Sequence, residues 1–319
     1  MPIVDMPLEK LKVYSGINPR PYDFDAFWNR SLEELYAIDP QAEFLPYDYP
    51  SKIARLYDLW FTSMKGARIH GRVAVPKNLT GKAPATLHFH GLSGRCENWK
   101  NLLVYASQGF VAVSMDVRGQ GGLSEDIGGT SGTTFPTPFM RGIEGEPENL
   151  LARDIFLDTA QLARVIMARD DVDDARVGVY GGSQGGGLSV ACAALVPKIK
   201  LCATTYPYMS DYRRVWNMDL AKGAYDGIRY WFRWFDPLHE REDEIFTKLG
   251  YIDIQYLAPR IQAMVLMSTG LMDTTCPPST QFAMYNKITS PKSVLIYPDF
   301  GHEGLNGNDD EVFKFLSTL

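Results

Sequence analysis

Apolar and polar positions alternate near the start of the chain in two stretches, residues 52–64 and 68–76, with a short turn between them. Such alternation predicts two half-buried strands paired as an antiparallel hairpin. Ahead of it, residues 1–50 are predicted to form an N-terminal arm, rich in proline over its first part, and one helix. An apolar stripe places that helix from Asp23, expected to cap it, to about Ala37.

Beyond the hairpin, strand-like and helix-like patterns alternate. Short apolar runs predict buried strands at residues 85–90, 110–116, 176–180, 201–206, 263–268 and 293–297. Amphipathic or small-residue patterns between them predict helices at residues 98–108, 148–169, 187–195, 279–288 and 309–318. This order predicts the α/β class, with a mostly parallel sheet covered by helices on both faces.

Two segments interrupt the alternation. Residues 118–147 are rich in glycine, threonine and proline, which predicts a loop too long to be a simple connection. Residues 211–250 combine many aromatic and charged side chains, and we predict a helical insertion there. Its aromatic run, residues 230–235, is more typical of packing against the sheet or another subunit than of a ligand platform. All these elements are expected to belong to a single domain, residues 1–319.

Composition fits an ordinary globular protein that can bury a large core. Of its 319 residues, 45% are hydrophobic and 12% aromatic, and the formal net charge is −6. This charge, without any basic run, argues against nucleic acid or an anionic membrane as a partner. No stretch approaches the roughly 18 apolar residues that span a bilayer. The N-terminal residues lack the features of a signal peptide, so we expect a cytoplasmic location.

The four cysteines, at positions 96, 192, 202 and 276, lack the paired spacing of a metal site. We expect them to be reduced and packed as small hydrophobic residues. Cys276 follows Asp273 closely and is the one to watch for reactivity. No H-E-x-x-H pair is present, so the sequence does not predict a zinc site.

The strongest chemical signal is Gly181-Gly182-Ser183-Gln184-Gly185-Gly186, which lies between a predicted strand and a predicted helix. It contains the G-x-S-x-G pattern in the strand-turn-helix context that a nucleophile elbow requires. Glycines two positions before and after Ser183 indicate that side chains there would collide with neighbouring elements. The alternative is a glycine-rich turn with a serine that does no chemistry.

A nucleophilic serine needs a base and an acid that orients the base. On this architecture the acid and then the base follow later strands. Asp273 follows the strand at residues 263–268, and His302 follows the strand at residues 293–297. The rivals are Asp299 and Glu303 for the acid and His239 for the base.

The oxyanion formed during acyl transfer needs two N–H donors. Gln184, directly after the nucleophile, is expected to supply one. The loop that begins at His90 follows an early strand and is expected to supply the other, from Leu92 or, as second choice, from Gly91. We predict that His90 braces this loop.

Arg118 and Gln120 begin the long loop at the carboxyl end of another predicted strand. We predict that this segment forms a wall of the site and supports it. For Arg118 a second interpretation stays open, because a guanidinium there could equally pair with a buried carboxylate.

Together these residues resemble the acetyl xylan esterase and cephalosporin C deacetylase family, carbohydrate esterase family 7. Three signature segments carry the resemblance: Arg118-Gly119-Gln120, Gly181 to Gly186, and His302-Glu303. Other segments extend it over nearly the whole chain: His90-Gly91, Tyr206-Pro207-Tyr208, Gly270-Leu271-Met272-Asp273, and Cys276 to Thr280.

The resemblance implies an α/β-hydrolase fold without metal or cofactor. It implies removal of acetyl groups from short xylo-oligosaccharides, small acetylated sugars and cephalosporin C, by homohexamers built as trimers of dimers. It adds Pro207 to the residues expected to support the substrate. Leu92 occupies the position where the family usually has a tyrosine, a change that keeps the amide and removes the ring.

We therefore predict a serine esterase with Ser183, His302 and Asp273 as its triad. Two alternatives stay open. One is another serine acyl hydrolase, such as a thioesterase or a peptidase without its propeller, and acyl-chain preference would separate it. The other is a catalytically silent binding protein of the same fold, which labelling of Ser183 by a fluorophosphonate would exclude.

Overall fold

The described residues of the protein fold around one nine-stranded sheet. Its structure is a computed structural model that describes residues 4–127 and 137–319. The strands are β1 (Glu43–Pro46), β2 (Ala54–Thr62), β3 (Arg68–Pro76), β4 (Ala83–Phe89), β5 (Val111–Met115), β6 (Val172–Gly182), β7 (Leu201–Thr205), β8 (Met264–Gly270) and β9 (Lys292–Tyr297). Their order across the sheet is β1-β2-β3-β5-β4-β6-β7-β8-β9.

The sheet is antiparallel at one end and parallel over the rest. Strands β1, β2 and β3 pair antiparallel, and β3 also runs antiparallel to β5. From β5 to β9 every neighbouring pair is parallel. The hairpin of β2 and β3 and the mostly parallel sheet confirm both predictions. Because parallel strands end at the same edge, the loops after β4 to β9 meet there.

Helices cover both faces of the sheet. They are α1 (Leu8–Leu11), α2 (Phe24–Tyr36), α3 (Trp99–Ser107), α4 (Leu151–Met167), α5 (Gln184–Leu195), α6 (Tyr212–Asn217), α7 (Asp226–Phe235), α8 (Glu242–Gly250), α9 (Ile254–Leu257), α10 (Pro278–Lys287) and α11 (Asn308–Leu316). Alternate residues of β7 show the two faces: Leu201 and Ala203 pack with α3 and α11, whereas Cys202 packs with α5 in the larger core. The predicted α/β-hydrolase fold is confirmed.

The N-terminal region differs from its prediction in three details. Strand β1 was not predicted, because its four residues show no alternation and lie mostly exposed at the sheet edge. The arm contains one helical turn, α1. Asp23 precedes α2, but its side chain makes no capping bond, because its carboxylate accepts a hydrogen bond from Tyr251 at 2.5 Å.

The two interrupting segments keep the character predicted for them. The insertion at residues 211–250 is helical, with α6, α7 and α8. In the long loop, the described residues form only short 3₁₀ turns, Pro138–Met140 and Pro147–Asn149. Its residues 128–136 and residues 1–3 of the arm lie outside the described residues. Within the described chain, no helix is both long and apolar enough to cross a bilayer.

Candidate active site

Ser183 lies at a sharp turn between β6 and α5. Its backbone has φ 57° and ψ −119°, a conformation that L-residues adopt rarely and at a cost. A Cβ on Gly181 or on Gly185 would collide with the carbonyl oxygen of Phe89, at the end of β4. The glycines two positions before and after Ser183 are therefore required by the neighbouring strand, as the spacing predicted. The Ser183 N–H donates to Thr205 O at 2.9 Å, which ties the turn to β7.

His302 lies between Ser183 and Asp273. Its Nε2 is 3.0 Å from Ser183 Oγ, and its Nδ1 is 2.8 Å from Asp273 Oδ2. Asp273 is fully buried, and its other oxygen accepts the N–H groups of Thr275 and Cys276, both at 2.8 Å. Because an ionised carboxylate only accepts hydrogen bonds, Nδ1 must carry the ring hydrogen. Nε2 is then left with its lone pair toward the serine hydroxyl, the arrangement of a general base.

Tyr206 packs against the imidazole of His302. The two ring centroids are 4.6 Å apart, and the Tyr206 backbone has a positive φ of 34°. Burial, with Asp273 as the next contributor, raises the pKa of the Tyr206 hydroxyl, which therefore stays protonated. Sequence reasoning noted Tyr206 only within a family segment and did not predict this contact. The signal that could have found it is its position at the end of β7, next to the elbow.

His90 holds the loop that follows β4. Its Nε2 accepts the N–H of Val117 at 3.0 Å, so its Nδ1 carries the hydrogen and donates to Gly91 O at 2.7 Å. Burial lowers the pKa of His90, which favours this neutral ring. His90 thus joins the loop after β4 to the segment after β5. A Cβ at Gly91 would meet only Gly182 O, at an ordinary 3.9 Å, so packing within the described chain does not require glycine there.

Leu92 and Gln184, the residues predicted to donate their backbone N–H groups to an oxyanion, lie in the loop after β4 and at the start of α5. Gln184 is the first residue of α5, where backbone donors have no acceptor within the helix and the helix dipole favours negative charge. Leu92 lies in the turn closed by Gly94 N–H on Gly91 O at 3.0 Å. The described residues provide no acceptor for the Leu92 N–H.

Gln120 connects the loop after β4 to the start of α5 through its side chain. Its Nε2 donates to Gln184 Oε1 at 2.8 Å, and Gln184 Nε2 donates back to Gln120 Oε1 at 3.0 Å. The same Gln120 oxygen accepts the N–H of Ser93 at 2.8 Å. Sequence reasoning predicted support from Gln120 but missed this amide pair, because nothing in the spacing of the two residues indicates it.

Arg118 points into the protein interior. It is fully buried, and its Nε and Nη2 contact the two carboxylate oxygens of Asp158 at 2.7 and 2.6 Å. Burial opposes the charge, but Asp158 raises the pKa of the guanidinium. Of the two interpretations, the structure favours pairing with a buried carboxylate over a place in the wall of the site. Pro207 is likewise buried, in the turn after β7, where its Cα lies near Gly186.

Two groups of side chains in the described ranges are of metal-ligating types and lie close together. One is His70, Cys96 and Asp116, and the other is Asp273, Cys276 and His302. In both groups the histidine Nδ1 already bonds to an aspartate, at 2.6 Å for His70 and 2.8 Å for His302. Burial raises the pKa of Cys276 well above its usual value, so it is a neutral thiol beside the serine rather than a reactive thiolate.

Fold and site together define the class of this protein. The sheet order, the strained serine after β6, and an aspartate and histidine after β8 and β9 are those of an α/β hydrolase with a Ser-His-Asp constellation.

Comparison with known proteins narrows this class to a family. The family model described as acetyl xylan esterase (AXE1) matches residues 1–319, and the chain belongs to this family of carboxylic ester hydrolases. Acetyl xylan esterase 1 from Thermoanaerobacterium sp. JW/SL YS485, known from a crystal structure, is 52% identical in sequence to this chain. The two structures match with a TM-score of 0.97, and the match covers 98% of this chain and 99% of that one. The acetyl xylan esterase from Paenibacillus sp. R4 is 36% identical, with a TM-score of 0.93 over 98% and 99% of the two chains.

A longer relative is also similar. Acetyl esterase Axe7A of Xylanibacter ruminicola is 28% identical over 295 residues, which cover 91% of this chain. The match spans 64% of the length of that relative.

Proposed function

We propose that this protein is a serine esterase that removes O-acetyl groups from small acetylated carbohydrates through an acetyl-enzyme on Ser183. The observation that carries the proposal is the position of His302, whose two ring nitrogens contact Ser183 Oγ at 3.0 Å and Asp273 Oδ2 at 2.8 Å. The acetyl xylan esterase family supports deacetylation of acetylated xylan as the activity.

In the first half of the proposed reaction, Ser183 Oγ attacks the acetyl carbonyl carbon while His302 Nε2 takes the hydroxyl proton. The negative charge that forms on the carbonyl oxygen is stabilised by the N–H groups of Leu92 and Gln184. The tetrahedral intermediate then collapses and the ester C–O bond breaks. His302 gives its proton to the departing sugar oxygen, and the acetyl group remains on Ser183.

In the second half, water takes the place of the sugar. His302 Nε2 removes a proton from water as it attacks the acetyl carbon, and the same two amides hold the oxyanion. Acetate leaves when the bond to Ser183 Oγ breaks and His302 returns the proton to the serine. Asp273 keeps the imidazole in the required tautomer throughout and stabilises its positive charge while it holds the proton.

The substrates we propose are acetylated xylo-oligosaccharides and, by resemblance, other small acetylated sugars and cephalosporin C. The experiment is acetate release from acetylated xylo-oligosaccharide, glucose pentaacetate, cephalosporin C and p-nitrophenyl esters of increasing acyl length, with Ser183→Ala as the blank. We expect acetyl esters to be hydrolysed at least about tenfold faster than longer acyl esters. The reason is that an acyl site that fits an acetyl group discriminates against each added methylene group. Faster hydrolysis of long-chain esters or thioesters would contradict the proposal.

Leu92 offers a test of substrate preference within the family. Leu92→Tyr keeps the amide donor and restores the aromatic ring usual at this position. We expect the ratio of kcat/KM between cephalosporin C and xylo-oligosaccharide to change while hydrolysis of p-nitrophenyl acetate changes little. An equal loss on all three substrates would indicate a damaged oxyanion hole rather than an altered pocket.

We further propose a single-domain subunit, assembly as a homohexamer, and a cytoplasmic location. The exposed side chains of Trp234 and Leu238, 72% and 78% accessible on and just after α7, support a contact between copies. Four free, buried cysteines fit a reducing compartment. Light scattering after size exclusion tests the assembly, and Leu238→Glu should reduce the measured mass. An unaltered monomer mass in both proteins would refute the hexamer.

A further inference from the structure

A large cavity lies beside the candidate active site on the face of the sheet that carries α3 and α11. Its volume is about 640 Å³, within the usual range of small-molecule sites, which is roughly 300 to 1,000 Å³. Gly182 and Tyr206 form part of its wall, but none of the triad residues do. Tyr206 lines the cavity and also packs on the His302 ring. The cavity is therefore adjacent to the triad and distinct from it.

A row of rings forms one wall of this cavity. The ring centroids of Phe313 and Tyr105 are 5.2 Å apart, those of Tyr105 and Tyr180 are 5.2 Å apart, and those of Tyr180 and His88 are 4.9 Å apart. All four residues line the cavity. Such a row offers an extended apolar surface against which the C–H face of a sugar ring can pack.

Polar groups surround the aromatic row. Asn101 and Asn308 bring carboxamides, which both donate and accept hydrogen bonds. Asn308 is 5% exposed, and its Nδ2 donates to Thr205 Oγ1 at 3.1 Å. The Oδ1 of the same side chain has no partner among the described residues.

The charges around the cavity are all negative. Glu97, Asp309 and Asp310 contribute carboxylates, and no lysine or arginine belongs to the lining within residues 4–127 and 137–319. Burial lowers the pKa of His88 to about 4, so this histidine is neutral at pH 7. The cavity therefore repels phosphates and carboxylates. Neutral polyhydroxyl ligands and organic cations remain as candidates.

We propose that this cavity is a second, non-catalytic binding site for a neutral saccharide of one or two pyranose units. A sugar hydroxyl both donates and accepts, which matches the mixture of carboxamides, tyrosine hydroxyls and carboxylates. An organic cation would use only the carboxylates and the ring faces. The choice of a sugar among neutral ligands rests on the proposed function, because a carbohydrate deacetylase works among such molecules.

The test is direct binding of unacetylated xylobiose, measured by titration calorimetry at millimolar concentrations. The protein is used untreated and after Ser183 has been blocked by a fluorophosphonate. We expect xylobiose to bind both forms with similar affinity, because the triad is outside the cavity. Since xylobiose has no ester bond, binding here and the esterase activity can each fail without the other.

Two pairs of variants locate the site. Val104→Trp, at a lining position that is 52% exposed on α3, should fill the mouth and weaken xylobiose binding by about tenfold or more. Ser107→Trp, on the same helix outside the lining, should leave it within about twofold. Asp310→Asn should weaken binding by about tenfold, and its neighbour Glu311→Gln, which is outside the lining, should not.

Each contrary result overturns the proposal. Absence of xylobiose binding to the untreated protein would do so. Loss of binding on blocking Ser183 would place the sugar in the catalytic pocket. If Ser107→Trp or Glu311→Gln weakened xylobiose binding as much as its paired variant, the sugar would bind outside the cavity. Binding of tetramethylammonium at concentrations where xylobiose does not bind would make it a cation site.

Discussion

Among the described residues, two histidines bond an aspartate through Nδ1, and only one of the two has the geometry of a catalytic base. His302 Nδ1 lies 2.8 Å from Asp273, and His70 Nδ1 lies 2.6 Å from Asp116. Their other nitrogens differ: His302 Nε2 faces the hydroxyl of Ser183, whereas His70 Nε2 faces a second carboxylate, Asp58, at 3.2 Å.

The partner of the second nitrogen decides what each histidine can do. Both ring nitrogens of His70 face carboxylates, so neither faces a hydroxyl that it could deprotonate. Burial opposes ionisation of Asp116, but the bonds from His70 and from the Cys96 and Leu123 N–H groups lower its pKa. His70 is 2% exposed, whereas the side chain of His302 is 23% exposed and open to a substrate. The pair of His70 and Asp116 therefore has a structural role, whereas the pair of His302 and Asp273 fits proton transfer.

The largest expected effect is that of Ser183→Ala. Loss of the nucleophile should lower kcat for acetate release by about 10⁵-fold or more, because the oxyanion donors alone provide little turnover. The thermal unfolding midpoint should change little, and Ser107→Ala, at an exposed position of α3, should keep full activity. Retention of more than a few per cent of the wild-type rate by Ser183→Ala would contradict the assignment.

Asp273→Asn should lower kcat by about 10⁴-fold. The amide oxygen would stay on the N–H groups of Thr275 and Cys276, so the NH₂ group would face His302 Nδ1. The imidazole would then carry its hydrogen on Nε2 and present a donor to the serine. Asp299→Asn is the matched control and should stay within about twofold. A similar loss in both variants would restore Asp299 as a rival acid.

His70→Ala should cost about 3–5 kcal/mol of unfolding free energy, because Asp116 is left buried without its partner. The kcat of the protein that remains folded should stay within about tenfold of the wild type. His302→Ala should show the reverse, with activity lost and stability kept. Urea unfolding followed by tryptophan fluorescence, with acetate release on the same samples, measures both. Equal effects of the two variants on kcat would contradict the assignment of a structural role to His70 and a catalytic role to His302.

Asp253 is a buried acid that bonds to no histidine within the described ranges. Its pKa should shift in the opposite direction to that of Asp116. Burial, and then the neighbouring Asp211 carboxylate, raises the pKa of Asp253 to about 7. The folded protein therefore keeps a proton that an unfolded aspartate, with a pKa near 3.9, has lost. The stability from this group is full below about pH 4 and is lost as the pH rises through 7.

We expect the unfolding free energy to fall between pH 5 and 8, by up to about 1 kcal/mol per pH unit. Urea titrations at several pH values measure it. Asp253→Asn should flatten the slope, and the exposed Asp48→Asn should not. A slope that is unchanged in Asp253→Asn would assign the effect to other groups.

The smallest expected effect is at residues 116–120, which join the His70 pair to the candidate active site. Asp116 begins this segment, and the side chain of Gln120 bonds to Ser93 and Gln184 near its end. Gln120→Ala should lower kcat by about tenfold and leave KM almost unchanged, because the oxyanion donors lose positioning rather than contact with the substrate. Gln108→Ala, on the surface, is the control. A change confined to KM would instead indicate that Gln120 touches the substrate.

Local features of the fold could be predicted because they depend on neighbouring residues. The strained turn at Ser183 is visible in the glycines around it, and apolar runs mark the strands. The order of Ser183, Asp273 and His302 predicted their meeting, since parallel strands bring the loops at their carboxyl ends to one edge. These are the parts of the candidate site that a linear pattern can carry.

Outside the Ser-His-Asp constellation, partners between distant polar residues could not be predicted. Gln120 pairs with Gln184 across 64 positions, and Arg118 pairs with Asp158 across 40. Periodicity indicates which face of an element is buried, but it does not say which donor meets which acceptor. Which carboxylates His70 meets, and whether α3 and α11 leave a cavity between them, follows from how the elements pack. Packing is a property of the whole chain, in which small shifts of backbone decide each contact.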